Sequence, residues 1–564
     1  MCAFVLAACQ PGITPEEVDA GCSGEITPIA GIQGSGPVSL LSGSEASIRG
    51  IVTQVTPGLG FSLEEPGSDD SPATSNGIYV EDETLSLAVK PSQQWKLTGL
   101  ISELGQEPDT VTALSVISAQ QLCATGLKLP RTPLNLPLGP QHREAIENMR
   151  VSFTGPLIVT DVYNYYRGQV MLSLDQPLRI PTEDEQPGEA AQTLGRNNRE
   201  RSIRTAFGQS DNDFLRSGSG IDEVAGVIGH DSRGQLFLLD QIPQTHSAPA
   251  AQIPAAHPGT IRVVSMNLLN FFNGDGAGNG FPTERGAKTH DDFLHQAARI
   301  QSALTQMQPS LIAVQELEND GFGPDSAAQS LIDLLEAAVP ADWAIVKSAE
   351  NRQGTDVISV GLFYRSDLLQ AVDPPSTLDS APFQDLSRQP LAQRFRERAS
   401  GAEFLVAVNH FKSKGSCPPG GDNANQRDGQ GCWNKARVEA AEAVIEWMNQ
   451  LTKASSVNNV LILGDFNSYR NEDPVLTFRQ SAYVEAVEHR SGLPQYSYVY
   501  AGEAGTLDYA FVSRSLMDFM QHAEIWHINA DWPQKTKLPH LWMRFSDHDP
   551  LLVDLDFIQA STSD

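Results

Sequence analysis

The spacing of apolar residues divides the chain into two styles. From about residue 26 to 125, short β-type runs such as ASIRGIVTQV, NGIYVED and QWKLTGLISEL are separated by Gly, Pro and Ser clusters. This pattern is typical of small all-β barrels. Residues from about 130 to 240 continue in the same style, with VSFTGPLIVTDVYNYYRGQVMLSL and GQLFLLDQIP around a polar segment. We therefore expect two consecutive β-rich regions, 22–128 and 129–240.

The pattern changes after a Pro/Ala stretch with almost no charge, QIPQTHSAPAAQIPAAHPGT, at 241–260. Its composition predicts a linker between domains. Beyond it, strands alternate with amphipathic helices, of which DDFLHQAARIQSALTQM and NKARVEAAEAVIEWMNQL are the clearest. Residues 261–564 therefore predict a single α/β domain.

In this α/β domain, apolar runs repeatedly meet acids, amides and histidines at one end. The residues concerned are Asn267 in IRVVSMN, Glu316 in SLIAVQELEN, His410 in FLVAVNHFKSKG, Asp465 and Asn467 in LILGDFNSYR, Asp508 in TLDYAFVS, and Asp547 and His548 in FSDHDPLLVDLDF. Each has an ordinary structural explanation, as a turn, a helix cap or a buried histidine. Together they are the residue types that hold a hard divalent cation and transfer protons.

The chemistry of these residues favours phosphate esters. Mg²⁺ prefers oxygen ligands and keeps several waters, so a site with one or two carboxylates suits phosphate chemistry. Glu316 is the first ligand that we expect. Two histidines close to acids are suited to stabilising a pentacoordinate phosphorane and to protonating the leaving oxygen.

Composition limits the classes of protein that remain. A chain of 564 residues is too long for one ordinary core, and it has no apolar run of about 18 residues that would span a membrane. With 39 Lys and Arg against 69 Asp and Glu, the net charge is -30. This argues against a protein that coats polyanions, whose affinity depends on neutralising phosphates, but it allows a locally basic cleft.

One segment is locally basic. Between His410 and Arg437 lie Lys412, Lys414, Arg427 and Lys435, against Asp422 and Asp428. Such a cluster can steer a polyanion, and we predict Lys412 and Arg437 as substrate-binding residues. The alternative is an ordinary solvated loop of mixed charge.

The N-terminal segment, residues 1–21, predicts export. Leu6-Ala7-Ala8-Cys9 resembles a bacterial lipobox, in which the cysteine is lipidated after removal of a signal peptide. We therefore expect a bacterial protein that is extracellular or anchored to the outer membrane through Cys9. A chance apolar run is the alternative.

Export would explain the remaining cysteines, because disulfides persist outside the cytosol. Cys417 and Cys432 bracket a Gly/Pro/Asn-rich loop, which a disulfide would restrict. Cys22 and Cys123 then pair by elimination. Four free thiols are the alternative.

The order of motifs resembles a known superfamily. SMN, QELEND, NHFKSKG, GDFN, LDYAF and SDHDP, over residues from about 261 to 557, resemble the endonuclease/exonuclease/phosphatase superfamily, which includes pancreatic-type deoxyribonuclease. IQGSG and PATSNGIYVED in the first half resemble its bacterial secreted-nuclease branch, whose members carry an OB-like domain there. The resemblance implies a four-layer αββα sandwich, two packed β-sheets with helices outside, preceded by a mostly β OB-like region.

The resemblance also implies a role for each residue at a strand end. It makes Asn267, Glu316 and Asp547 ligands of a metal and of phosphate. It makes Asp465 the group that activates the attacking water, with Asn467 as its orienting neighbour.

The two histidines, His410 and His548, would stabilise the transition state, and Asp508 would orient His548. The partner of His410 is less clear from the motifs. Asp356 in QGTDVISVGLFYR is our candidate.

These expectations describe an exported nuclease that uses Mg²⁺, or Ca²⁺ or Mn²⁺, to hydrolyse phosphodiester bonds of extracellular DNA or RNA. Nucleic acid, mainly DNA, is the expected partner; the membrane is contacted only through a lipid anchor, and no protein partner can be inferred. The alternative is a phosphoesterase for small substrates such as lipid headgroups, inositol phosphates or nucleotides. The OB-like domain is either a spacer or a DNA-binding module.

Overall fold

A computed structural model describes most of the chain. It covers residues 22–67, 71–106, 109–207, 215–231, 233–241, 259–384, 387–492, 495–534 and 540–558, and three single positions between 241 and 259. The predicted lipobox with Cys9, and most of the predicted linker, lie outside the described residues. Among the helices described, none combines the length and the apolar character needed to cross a membrane.

The first β-rich region is a closed five-stranded barrel with strand order β1-β2-β3-β5-β4. An OB fold is also a five-stranded barrel. The predicted disulfide between Cys22 and Cys123 is present and joins the start of this region to β5. Its elements are α1 (Ile29–Gln33), β1 (Glu45–Thr56), β2 (Gly60–Glu64), β3 (Gly77–Glu81), α2 (Glu83–Ser86), β4 (Gln94–Gln106) and β5 (Asp109–Ala124).

The second β-rich region is built on a six-stranded sheet with the order β11-β12-β10-β8-β7-β6, in which β11 also pairs with β7. The remaining strand, β9, joins a different sheet. The elements are β6 (Thr132–Leu134), α3 (Pro140–Glu144), β7 (Arg150–Asp161), a 3-10 turn (Tyr165–Arg167), β8 (Gln169–Leu174), β9 (Leu178–Arg179), α4 (Pro181–Asp184), α5 (Glu189–Glu200), β10 (Ser202–Ala206), β11 (Gly220–Asp231) and β12 (Gly234–Leu239).

The α/β domain begins with β13 and contains the remaining elements. Its helices are α6 (His290–Met307), α7 (Ala327–Ala338), α8 (Ala381–Gln384), α9 (Asn434–Ser455), α10 (Asp473–Arg479), α11 (Ala486–Ser491) and α12 (Arg514–Met517). Its strands are β13 (Ile261–Phe271), β14 (Leu311–Glu318), β15 (Trp343–Ile345), β16 (Ile358–Arg365), β17 (Leu369–Thr377), β18 (Leu391–Glu397), β19 (Glu403–His410), β20 (Val460–Asp465), β21 (Tyr483–Glu485), β22 (Tyr498–Tyr500), β23 (Glu503–Gly505), β24 (Asp508–Ser513), β25 (Met520–Ile525) and β26 (Leu551–Leu555).

The predicted four-layer sandwich is confirmed. One sheet has the order β15-β16-β14-β13-β26-β25 and the other β17-β18-β19-β20-β24-β21. Apolar side chains from both sheets form the core between them. A second cluster joins α6 and α7 to the outer face of the first sheet, and a third joins α9 to the outer face of the second. Each sheet is therefore covered on both faces, which explains its long apolar runs.

Strand register gathers the polar strand ends at one edge. The parallel strands β19 and β20 place His410 opposite Asp465. The antiparallel pair β20 and β24 places Asp508 opposite the same aspartate. On the other sheet, parallel pairing of β13 and β14 sets Asn267 beside Gln315. Because parallel neighbours end at the same edge of a sheet, these ends form one rim of the sandwich.

The second β-rich region contacts this rim directly. Its strand β9 pairs in parallel with β23 and completes a small sheet, β22-β23-β9. The two regions are therefore joined by backbone hydrogen bonds as well as by side chains.

A buried ion pair ties together the middle of the first sheet. Arg262 on β13 and Asp554 on β26 are cross-strand neighbours, and the guanidinium donates two hydrogen bonds of 2.7 Å to the carboxylate. Both side chains are nearly inaccessible to solvent. Removing one partner would leave a buried charge without compensation.

We predict that Arg262→Ala lowers the free energy of unfolding of the α/β domain by about 3–5 kcal/mol, measured by denaturant titration. The cross-strand pair Arg396 and Glu403, which is more exposed, provides the control, and Arg396→Ala should change stability by at most about 1 kcal/mol. Equal effects of the two substitutions would contradict the prediction.

Candidate active site

Asp465 and His410 lie side by side at the rim. Their Oδ2 and Nε2 atoms are 3.5 Å apart, and both side chains are buried. Gly464, just before Asp465, has a φ of +134°, and a Cβ there would lie 2.1 Å from the carbonyl oxygen of Asn409. Only glycine therefore allows β20 to approach β19 this closely at its end.

The loop after β20 fixes the Asp465 carboxylate. Asn467 adopts a left-handed conformation with φ of 48°, which asparagine tolerates. Its backbone N–H donates to Asp465 Oδ1 at 2.8 Å and its side-chain amide donates to Oδ2 at 3.2 Å. The same amide donates to the carbonyl of Phe411 at 3.2 Å, so Asn467 holds the ends of β19 and β20 together.

Glu316 is turned toward the rim by an irregularity in β14. The register with β16 shifts between Val314 and Leu317, and Glu316 has a φ of 61°. Bulges of this kind re-aim side chains next to functional sites. One carboxylate oxygen accepts from the backbone N–H of Asn270 at 2.9 Å.

Asn267 connects the two sheets at the rim. Its side-chain amide donates to Glu316 Oε1 at 3.2 Å and to Asp465 Oδ2 at 3.4 Å. The side chain is itself fixed, because its oxygen accepts from the N–H of Leu269 at 2.9 Å. The predicted ligands Asn267 and Glu316 therefore lie beside the predicted water-activating aspartate.

Asp508 and His548 form the second acid–histidine pair. Asp508 Oδ2 lies 2.8 Å from His548 Nδ1 and also accepts a 2.6 Å hydrogen bond from the hydroxyl of Ser497. The ring of Tyr498 packs against the imidazole, with centroids 4.7 Å apart. This arrangement fixes the ring and leaves Nε2 as the reactive nitrogen.

The two histidines have opposite electrostatic environments. Burial lowers the pKa of His548, but the carboxylates of Asp508 and Asp465 outweigh it and hold that pKa well above the usual range. Burial and the nearby Arg388 lower the pKa of His410 well below the usual range. The surroundings therefore favour the imidazolium form of His548 and the neutral form of His410.

The carboxylates at the rim repel one another. Burial raises the pKa of Asp465 to about 7, and Asp508 and Glu316 act in the same direction, whereas His548 opposes them. Burial and the half-buried Asp547 raise the pKa of Glu316. A set of oxygen donors that disfavours its own ionisation fits a divalent cation, which would relieve the repulsion.

Three ligand atoms, from Asp465, Asp508 and His548, lie within 4.8 Å of one another. The short contact between Asp508 and His548 Nδ1 is a hydrogen bond, so we interpret these two residues as an oriented acid–histidine pair. The oxygen donors of Asn267, Glu316 and Asp547 are the better match to a hard cation.

The prediction that Asp356 is the partner of His410 is wrong. Asp356 forms ion pairs with Arg388 at 3.1 Å and Arg285 at 3.4 Å, and the carboxylate next to His410 is that of Asp465. Asp356 is connected to the histidine strand through Arg388, whose guanidinium donates to the carbonyl oxygen of Phe411 at 3.4 Å. The order of the motifs along the chain does not show which of the two carboxylates, Asp356 or Asp465, lies next to His410.

The prediction that Arg437 binds substrate is also wrong. Its side chain is 0 % exposed, and its guanidinium donates to Ser468 Oγ and to three backbone carbonyls, those of Lys412, Gln430 and Cys432. Arg437 lies on the first turn of α9, on the face that packs against the sheet. It therefore holds the loop before α9 in place.

The rest of the basic segment is also largely engaged. Lys414 donates to the carbonyl of Gln430 at 2.7 Å and to Glu472, and Lys435 pairs with Asp422 at 2.7 Å. Lys412 is half-buried and stacks over the ring of Trp433 at 5.1 Å. The disulfide between Cys417 and Cys432, predicted from the sequence, closes this loop.

Sequence patterns did not indicate four residues of the site. Arg285 and Arg388 supply positive charge near His410, and Ser497 and Tyr498 support Asp508 and His548. All four lie in irregular segments or in a three-residue strand. Periodicity gives no information about such segments.

An arrangement of two acid–histidine groups and a carboxylate cluster, on the rim of a four-layer sandwich, defines a hydrolase of phosphoester bonds. The chain belongs to the Endonuclease/Exonuclease/phosphatase family, whose model matches residues 265–548, just over half of the chain. No curated protein sequence matches the chain.

Several solved structures are similar to this chain. The human nocturnin catalytic domain with bound sulfate is 17% identical, with a TM-score of 0.35, covering 53% of this chain and 95% of its own. A mannosyl-6-phosphatase from Bacteroides thetaiotaomicron is 19% identical, with a TM-score of 0.37 and coverage of 53% and 100%. D. rerio TDP2 with a single-strand DNA product is 13% identical, with a TM-score of 0.34 and coverage of 52% and 98%.

We predict that Arg437→Ala destabilises the protein by roughly 3 kcal/mol, since each buried acceptor left without its donor costs about 1–3 kcal/mol. Lys435→Ala, two residues earlier on the exposed face of α9, is the matched control and should stay within about 0.5 kcal/mol of wild type. Both are measured by denaturant titration. A fully stable Arg437→Ala protein with weakened substrate binding would restore the original prediction.

Proposed function

We propose that the protein is an exported, divalent-metal-dependent nuclease that hydrolyses phosphodiester bonds of extracellular DNA by in-line attack of water. The observation that carries the proposal is the arrangement at the rim: the buried Asp465 lies beside both His410 and His548, in surroundings that lower the pKa of His410 and raise the pKa of His548. Such a site holds a base and a positive charge within reach of one phosphate.

Asp465 is the residue best placed to take a proton from the attacking water. Its raised pKa of about 7 makes it a stronger base than an ordinary carboxylate, and the ionised form predominates at pH values above that pKa. Asn467 keeps the carboxylate in one orientation through two hydrogen bonds. The end of β20 and the loop after it thus supply both the carboxylate that would activate the water and the asparagine that orients this carboxylate.

His548 is suited to stabilising the negative charge that develops on the phosphate. Asp508 favours its imidazolium form, and the imidazole is buried, where charge stabilisation is strong. His410, whose surroundings favour the neutral form, is suited to accepting or donating a hydrogen bond.

Mg²⁺ is the cation that we propose, held by Glu316, Asn267 and Asp547. When bound, it would neutralise phosphate charge and polarise the scissile bond. The donor set is made of oxygens and includes two carboxylates, as Mg²⁺ sites in phosphate chemistry commonly do.

The cations around the rim support a polymeric substrate. Arg285, Arg388 and Lys412 all contribute positive potential at His410, and the Arg285 side chain is 41% exposed. We infer that one phosphate at the catalytic groups engages only some of them. A nucleic-acid backbone offers neighbouring phosphates for the others.

The two disulfides support export, because such bonds persist in oxidising compartments. We propose that Cys9 carries a lipid anchor in the mature protein. Mass spectrometry of the N-terminus of membrane-fractionated protein tests this anchor, and an unmodified Cys9 there would refute it.

We predict that Asp465→Asn lowers kcat for DNA cleavage by about 10²- to 10⁴-fold, because a general base is lost while the shape of the side chain is kept. Excess chelator should abolish cleavage by the wild-type protein, and added Mg²⁺ should restore it. The exposed Asp422→Asn variant serves as the control. Full activity in excess chelator would refute the mechanism.

We predict that cleavage of long DNA falls steeply with ionic strength, and that Arg285→Ala and Lys412→Ala each reduce the salt slope by about one unit. The ammonium of Lys435 is paired with Asp422, so Lys435→Ala should leave the salt slope unchanged. Hydrolysis of a chromogenic monomeric phosphodiester should change much less. If plasmid and linear DNA survive while nucleotides or lipid headgroups are hydrolysed, the protein is a small-substrate phosphoesterase instead.

A further inference from the structure

A glutamate from the second β-rich region is buried beneath the catalytic loops. Glu183 on α4 is 0 % exposed. Its carboxylate accepts hydrogen bonds from the backbone N–H of Thr506 at 3.0 Å, from the Thr506 hydroxyl at 3.1 Å and from the backbone N–H of Arg470 at 3.2 Å. The three donors belong to the α/β domain, so this residue crosses the boundary between the two regions.

The loops that Glu183 joins are the two that carry catalytic groups. Arg470 follows Asp465 and Asn467 in the loop after β20, and Thr506 comes two residues before Asp508. The loops also contact each other, since the N–H of Phe466 donates to the carbonyl of Leu507 at 2.8 Å. One carboxylate therefore binds both segments just beyond the strand pairing that places Asp508 opposite Asp465.

Ser497 extends this connection to His548. Its backbone N–H donates to Gly505, its hydroxyl accepts from the N–H groups of Leu507 and Asp508, and it donates to the Asp508 carboxylate. A shift of the Thr506 segment would thus move the group that orients His548.

Thr182 links α4 to the loop that follows His410. Its hydroxyl donates to Glu472 at 2.9 Å and its carbonyl accepts from the N–H of Asn471 at 2.9 Å. Glu472 in turn binds the ammonium of Lys414, four residues after His410. Two catalytic loops therefore contact this short helix directly, and the loop that follows His410 is linked to it through Glu472.

Neighbouring contacts extend this interface. Strand β9 pairs with β23 in the register Glu503 opposite Leu178. The N–H of Gly188 donates to Asp428 at 2.7 Å, and the side-chain amide of Gln192 donates to the carbonyl of Arg427 at 2.7 Å. The disulfide-closed loop thus also rests on the second β-rich region.

We propose that the second β-rich region forms part of the architecture of the active site, and that Glu183 is a positioning residue that sets the Asp508–His548 pair relative to Asp465. The proposal rests on the proposed hydrolytic function. Glu183 lies under the loops and touches no surface open to substrate, so its loss should affect turnover and leave binding nearly unchanged.

The hydrogen bonds of Glu183 suggest two substitutions, to glutamine and to alanine, whose effects on kcat should differ. Burial raises the pKa of Glu183 to about 7, although Thr506, Arg470 and Arg179 act in the opposite direction, so an uncharged isostere is a small electrostatic change. Glutamine can accept from both backbone N–H groups through its oxygen. Its amide can donate to the Thr506 hydroxyl, which also contacts the carbonyl of Gln495. Alanine can satisfy none of these groups.

The test measures kcat and KM on DNA and on a chromogenic phosphodiester with the full chain. Glu183→Ala should lower kcat by about 10- to 100-fold, the effect of displacing catalytic groups by about 1 Å, with KM within about threefold of wild type. Glu183→Gln should restore kcat to within about threefold. Thr182→Val, a milder change, should lower kcat in the same direction and provides the test if Glu183→Ala does not fold.

Two controls separate positioning from general stability. Asp184 lies on the same helix as Glu183 and pairs with Arg179 at the surface. Asp184→Ala removes this exposed carboxylate and should leave kcat unchanged. Arg204→Ala removes several hydrogen bonds within the second β-rich region, to Asp231, Gly234 and Gln235, and should lower stability without lowering kcat. If Arg204→Ala lowers kcat as much as Glu183→Ala, or if Glu183→Ala keeps wild-type kcat, the proposal is overturned.

A readout that does not need activity separates this proposal from the proposed function. Hydrogen exchange should become faster in peptides 466–472 and 503–508 of Glu183→Ala, and should stay unchanged there in Arg204→Ala. If the wild-type chain hydrolyses neither substrate, the proposed function fails. If hydrogen exchange in both peptides of Glu183→Ala equals that of wild type, the positioning role is overturned, whatever the outcome for activity.

Discussion

The side-chain amide of Asn267 sets the distance between the two halves of the active site. It donates to Glu316 on one sheet and to Asp465 on the other. The core between the sheets is an apolar cluster, and apolar contacts carry no direction. The amide of Asn267, together with the hydrogen bond between Asp508 and His548 that also links the two sheets, therefore fixes how the proposed cation site and the proposed base face each other.

The same rim shows how one acidic chain supplies both signs of charge. The net charge is -30, yet Arg285, Arg388 and Lys412 lie close enough to His410 to lower its pKa. Strand pairing places the Asp508 carboxylate beside His548, which follows it by forty residues in the sequence, and the carboxylate favours the imidazolium form of this histidine. Local geometry, and not overall composition, shifts the pKa values of the two histidines in opposite directions.

The resemblance of the motifs to a known superfamily implied the four-layer sandwich. Sequence patterns alone predicted an α/β domain and polar residues at its strand ends, because long apolar strands and amphipathic helices carry a strong periodic signal. They failed for Arg437 and Asp356, whose partners depend on which face of a helix or loop meets the sheet. They gave no sign of Glu183, since a glutamate in a short polar helix is usually exposed. Its burial follows from a contact with residues more than 280 positions later, which no local pattern encodes.

The position of β26 has a consequence for biosynthesis. This strand lies between β13 and β25 in the first sheet, and its Asp554 meets Arg262 across 292 residues of sequence. Until that strand has left the ribosome, the edge of β13 that it covers is unpaired, and His548 has just been made or is still missing. Pairing over such a separation is also slow to form. The hydrolytic site is therefore assembled late, after nearly all of the chain described here has been synthesised.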